Sequence, residues 1–173
     1  VFVTMTFESS GRTFTGCSVE AMACTLEGLG VDALGINCSL GPDEIFPIAR
    51  KLAFSTDLPL IVKANAGLPD PETGVYRTTP EEFAQDCDPE TETYDVTPAE
   101  FAESMKRYRE IGLKFTGGCC GTTPEYIEEL CRALKNCAVA SRSSQKKSRI
   151  CTPTSVVTID GVRVIGERIN PTG

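Results

Sequence analysis

Residues Val31–Asn65, VDALGINCSLGPDEIFPIARKLAFSTDLPLIVKAN, carry the pattern that decides the fold. Val31–Cys38 is a short β-prone run. The next segment opens with Pro42 at a first helical position and carries an apolar stripe of Ile45, Ile48 and Leu52 at helical spacing. Leu58–Asn65 returns to a strand, and its continuous apolar character predicts cover on both faces. Strand, helix, strand is the unit from which parallel sheets are built.

The same unit extends in both directions. Upstream, Val1–Phe7 is a β-rich run closed by the turn residues ESSGR, and Ser18–Gly30 reads as a helix that Ser18 can cap and Gly30 can end. Downstream, one phrase recurs as TTPEEFAQ, VTPAEFAE and TTPEYIEE. Each is a capping signature: Thr, then Pro at the first helical position, then acid in the first turn. The last two open expected helices Pro98–Ile111 and Pro124–Leu134, with a strand at Leu113–Gly118 between them. Repeated βα units imply a parallel sheet covered by helices, either open or closed into a barrel.

Composition narrows the function classes. The chain has 173 residues, 40% apolar and 24% charged, with a net charge of −7. That balance argues against a nucleic-acid partner. No apolar run approaches the roughly 20 residues of a membrane span, and Val1 onward shows no signal peptide. The sequence starts at Val rather than Met and is expected to be a piece of something longer. Nine cysteines at irregular spacing, with no export signal, fit a reducing, cytoplasmic compartment. Histidine is absent, which excludes Ser-His-Asp and Cys-His nucleophiles and any His-containing zinc site within these residues.

After Asn136 the character changes. Ser141–Arg149, SRSSQKKSR, has four basic residues and no acid, as a linker would. Beyond it, TSVVTIDGVRVIGERINPTG suggests a hairpin-like pair and the start of a further unit.

In parallel βα architectures, functional groups collect at the carboxyl ends of the strands. By that rule Cys38, Asn65, Cys119 and Cys120 share one rim, drawn from three successive strands. Three thiols from separate segments suit zinc, which thiolates bind at about 2.3 Å. With no fourth Cys or His, one position is left open or weakly held, as in a catalytic site. Asn65 is a candidate neutral fourth ligand. Gly117, Gly118 and Gly121 permit the dihedrals that would turn both vicinal thiols to one point. A vicinal Cys119–Cys120 disulfide and plain core packing are the competing readings. The other six cysteines are expected to be structural.

These motifs carry a resemblance. GINCSLGP, KANAGLP and GGCCGTTPEYI resemble the homocysteine S-methyltransferase domain. That resemblance implies a (βα)8 TIM barrel in which a cysteine after the sixth strand and a vicinal pair after the eighth bind zinc, here Cys38, Cys119 and Cys120. VTMTFESSGRTFTG is similar to the fifth strand and its loop, so strands five to eight are the part represented. VIGERINPTG resembles the entry to a pterin-binding barrel, which points to the cobalamin-dependent branch of the family. The implied organisation is residues 1–137 as the C-terminal half of a homocysteine-binding barrel, 138–155 as linker and 156–173 as the start of a pterin-binding domain.

On that basis Glu167 and Asn170 are candidate pterin contacts. The implied substrate is homocysteine, the methyl donor methylcobalamin held by a domain outside this chain, and the methyl source methyltetrahydrofolate. The implied partners are the remaining domains of such an enzyme. A stand-alone methyltransferase with a betaine or sulfonium donor and a non-catalytic zinc-binding fragment are the alternatives. The acidic stretch Gln85–Asp95 is longer than the family pattern and is expected to be a surface insertion.

Overall fold

The structure is a computed structural model describing residues 1–67, 96–142 and 147–162. Its centre is a four-stranded parallel sheet in the order β1 (Phe2–Met5), β2 (Ala33–Asn37), β3 (Leu60–Ala64), β4 (Leu113–Gly118). Spatial order follows chain order without a reversal. The helices α1 (Val19–Gly28), α2 (Pro42–Ser55), α3 (Pro98–Lys106) and α4 (Pro124–Leu134) form one layer, each packed on the next.

Each helix start has a local cause. The Ser18 hydroxyl accepts the Ala21 amide at 3.2 Å and caps α1. Thr97 and Glu100 form a complete capping box at α3. Pro42 and Pro124 open α2 and α4. Pro47 lies inside α2 and cannot donate to the Asp43 carbonyl four residues back. Arg107 supplies a substitute: its guanidinium donates to the Asp43 carbonyl at 3.5 Å, pairs with the Asp43 carboxylate at 3.2 Å and lies 4.1 Å over the Phe46 ring. A 3-10 turn, Arg107–Arg109, follows α3, so the helix expected to run to Ile111 stops earlier. That turn buries Tyr108, whose hydroxyl donates to the Pro42 carbonyl.

The two faces of the sheet differ. Leu34, Ile36, Leu60, Val62 and Leu113 are fully buried against the helices. On the other face Ile61 and Lys63 are half-buried and Phe115 is 41% exposed. The expectation that Leu58–Asn65 would be covered on both faces is therefore corrected: β3 alternates, with only its helix-facing residues buried. The open face is concave. Phe2 and Phe115, on the outer strands β1 and β4, bring their ring centroids to 5.0 Å. Three strand spacings of about 4.8 Å would hold them far apart on a flat sheet.

A second, two-stranded sheet pairs β5 (Ser148–Thr152) with β6 (Ser155–Ile159). The hairpin therefore turns at Pro153–Thr154, earlier in the chain than the TSVVTIDGVRVIG stretch suggested. Its first strand lies inside the segment expected to be linker. Arg149 anchors it, pairing with the Glu27 carboxylate and donating to the Ser55 carbonyl at 2.6 Å. Arg142 donates to the Ala53 and Thr56 carbonyls at 3.3 and 3.1 Å. Two of the four basic residues of that stretch are thus tied into the fold. Glu167, Asn170, Gln85–Asp95 and the TTPEEFAQ phrase lie outside the described residues.

Candidate metal centre

The sheet register sets the heights of the strand ends. Asn37, Lys63 and Gly117 lie side by side, and Ala64 pairs with Gly118. Cys38, Asn65 and Cys119 are the next residues out on their strands. A bulge at Lys114 makes this alignment possible: Leu60 pairs with Leu113, but Ile61 pairs with Phe115. Without the extra residue, everything after it would face the opposite way.

Backbone hydrogen bonds lock the three ends together. The Cys38 amide donates to the Lys63 carbonyl at 3.0 Å, the Asn65 amide to Leu40 at 3.1 Å and the Cys119 amide to Ala64 at 2.8 Å. The Ala66 amide donates to the Cys120 carbonyl at 2.9 Å. Thr122 closes the far side, its hydroxyl donating to the Cys119 carbonyl at 2.6 Å. A Cβ on Gly118 would fall on the Thr122 side chain, so close approach requires glycine there. Of the three glycines singled out in the sequence, only Gly121 takes a left-handed φ, 74°.

The less expected strain is on the other arm. Cys38 and Ser39 have φ of 63° and 70°, consecutive non-glycine residues in the left-handed region. Nothing in GINCSLGP marks them as such. A strained conformation of this kind costs about 1–3 kcal/mol per residue and collects at functional sites.

The result is a cluster. The sulfurs of Cys38, Cys119 and Cys120 all lie within 4.8 Å of one another, and the Cys38 and Cys120 sulfurs are 3.5 Å apart. All three thiols are free, so the vicinal-disulfide reading does not hold in this structure. They are also half-exposed, which sets them apart from core filler. The cluster is electrostatically unbalanced. The hydrogen bond from Cys120 is the largest of several influences that draw the Cys38 pKa down to about 5. Burial pushes Cys119 up, and the bond to Cys38 pushes Cys120 up. One thiolate is held by two thiols; all three ionise together only with a cation among them. Tetrahedral zinc with sulfur at about 2.3 Å would set neighbouring sulfurs about 3.8 Å apart. The spacing and the all-thiol donor set fit that ion.

Asn65 is 5% exposed beside the cluster. Its side-chain oxygen accepts the Cys120 amide at 3.2 Å, and its backbone amide donates to the Leu40 carbonyl, two residues beyond Cys38, at 3.1 Å. In this arrangement Asn65 joins two of the three cysteine arms. A cavity of about 810 Å³ lies elsewhere. It lies at the amino ends of the strands, near Val31 and Leu58, and its acidic residue Glu27 is taken by both Arg149 and Thr56. The chemistry therefore rests on the thiol cluster.

Residues 1–134 match the family model described as homocysteine S-methyltransferase. The chain belongs to the homocysteine S-methyltransferase family. It is also similar to a methionine synthase of Mycobacterium tuberculosis (strain ATCC 25618 / H37Rv), 34% identical over the whole of this chain and 14% of that relative. A methionine synthase of Mycobacterium leprae (strain TN) is 33% identical over the same shares. The chain thus spans about a seventh of the length of these curated relatives. All three cysteines, and the loop that joins their strand ends, lie within the part matched to the homocysteine S-methyltransferase family.

Proposed function

We propose that this chain is the metal-binding half of a homocysteine-methylating barrel in a cobalamin-dependent methionine synthase. The observation that carries the proposal is the convergence of the Cys38, Cys119 and Cys120 sulfurs within 4.8 Å at one rim of a parallel sheet. Family membership and full-chain similarity to methionine synthases support it. In this reading β1–β4 are strands five to eight of an eight-stranded barrel. The unreversed strand order and the concave, half-exposed face support that assignment. Residues 156–173 then begin a pterin-binding domain, Glu167 and Asn170 approach the pterin, and the other domains supply methylcobalamin and methyltetrahydrofolate. Cytoplasmic location belongs to the same reading; no helix among the described residues is long and apolar enough to cross a membrane.

Cys38, Cys119 and Cys120 would hold zinc, whose chemistry is to keep a bound homocysteine thiol deprotonated and nucleophilic at neutral pH. The chain's own residues arrange the rest. Asn65 holds the Cys120 arm to the Cys38 arm. Thr122 and the Ala64 carbonyl fix the vicinal turn, so the three sulfurs are placed before any ligand arrives. No histidine base is required, in keeping with its absence.

Metal analysis of the purified chain tests this. About one zinc per chain is expected, retained through gel filtration and lost in a Cys38→Ser/Cys119→Ser double variant. Zinc content that the double variant leaves unchanged would sink the proposal.

A further inference from the structure

A second thiol pair lies on the far side of α1, away from the metal centre. The sulfur of Cys151 on β5 is 3.3 Å from the Thr25 hydroxyl oxygen and 3.8 Å from the Ala21 carbonyl oxygen. Ala21 and Thr25 are one helical turn apart, and Cys24 lies on the same face. Cys151 therefore rests on the strip of α1 that carries Cys24, close enough for the two thiols to influence each other's ionisation. The strand is pinned on both sides of Cys151. Arg149 pairs with Glu27, and the Pro153 carbonyl accepts the Ser18 amide at 2.9 Å. Arg149 and Cys151 share the inward side of β5, while Ile150 between them is 58% exposed. The neighbouring Cys17 has its sulfur turned to the Ser18 carbonyl at 3.5 Å. Both Cys24 and Cys151 are free and partly exposed, within reach of a small reagent.

We propose that Cys24 and Cys151 are a redox modification site, closing to an intramolecular disulfide that fastens the β5–β6 hairpin to α1. The oxidant is a low-molecular-weight disulfide. One thiolate attacks a sulfur of that disulfide and expels a small thiolate. The second thiolate attacks the resulting mixed disulfide at the protein sulfur and expels the other. Two protein thiols are oxidised, one external disulfide is reduced to two small thiols, and the two protons leave with them. Burial, then contact with Cys151, raises the Cys24 pKa and keeps that thiol protonated at neutral pH. The attacking species is the minor thiolate fraction, so disulfide formation at this pair speeds up as pH rises. The site makes no use of the metal cluster and stands whether or not zinc binds.

The test is peptide mapping of the whole chain after equilibration with oxidised glutathione. Trypsin releases Cys24 in Thr13–Arg50, Cys151 in Ile150–Arg163 and the vicinal pair in Phe115–Arg132. The expected product joins the first two peptides, with fragment ions placing the bond at Cys24. Its yield in the folded chain is at least about tenfold higher than in concentrated urea, because folding raises the effective concentration of the pair. The link persists in Cys17→Ser and disappears in Cys24→Ser. Only mixed glutathione adducts, a bond at Cys17 in the unaltered chain, or an equal yield in urea would overturn the proposal. These readouts come from the unaltered chain, so they hold even if a variant fails to fold.

Discussion

Cys38 and Asn65 show what single residues contribute. Cys38 sits at a left-handed φ of 63° that its side chain does not favour, and the Lys63 carbonyl holds its amide there. In this conformation the sulfur lies 3.5 Å from that of Cys120. Asn65 was legible as a rim residue from KAN alone, but its partners were not. Its oxygen is taken by the Cys120 amide, which only the fold brings near. Removing it takes the acceptor from a half-buried donor, at a cost of about 0.5–1.5 kcal/mol. Asn65→Ala is therefore expected to lower zinc affinity about 10–100-fold while one zinc still binds at saturation. Competition against a chelator of known affinity measures this. Unchanged affinity would mean that the amide bridge has no part in holding the site.

At the scale of elements, the capping signal of VTPAEFAE forms as read because it is local, whereas Thr123 opens α4 without a side-chain cap bond. Thr97 and Glu100 satisfy each other's backbone groups within one turn, so VTPAEFAE needs no distant partner to start a helix. Thr97→Ala should cost about 1 kcal/mol, a fall in melting temperature of about 2–4 °C for a chain of this size. Thermal denaturation followed by circular dichroism reads it, and a fall above about 10 °C would mean that Thr97 does more than cap. The bulge at Lys114 was not legible. LKFTGG contains no turn residue before its glycines, and the extra residue appears only when β4 is laid against β3. The hairpin failed for a related reason. SRICT looks polar and irregular, yet Arg149 and Cys151 face inward to Glu27 and α1. Those partners lie far upstream in sequence.

For the whole molecule the open face governs behaviour. Phe2 is 56% and Phe115 41% exposed on the concave side. Each of β1 and β4 pairs with one strand among the described residues. Exposed apolar rings beside unpaired strand edges favour association. The isolated chain is expected to sediment increasingly as dimer or larger species as concentration rises, and Phe2→Ser/Phe115→Ser to shift it toward monomer. A monomer at all concentrations would show that this face needs no cover. The sequence by itself determined the βα repeat, the helix starts and the three cysteines at strand ends. These depend on residue spacing and on hydrogen bonds that close within a turn. Tertiary structure alone decided the concavity, the bulge that keeps β4 in register, the left-handed Cys38 and the place of Cys151 on α1. Each of these depends on contacts between segments far apart in the chain, and such pairings leave no periodic trace in the residues that make them.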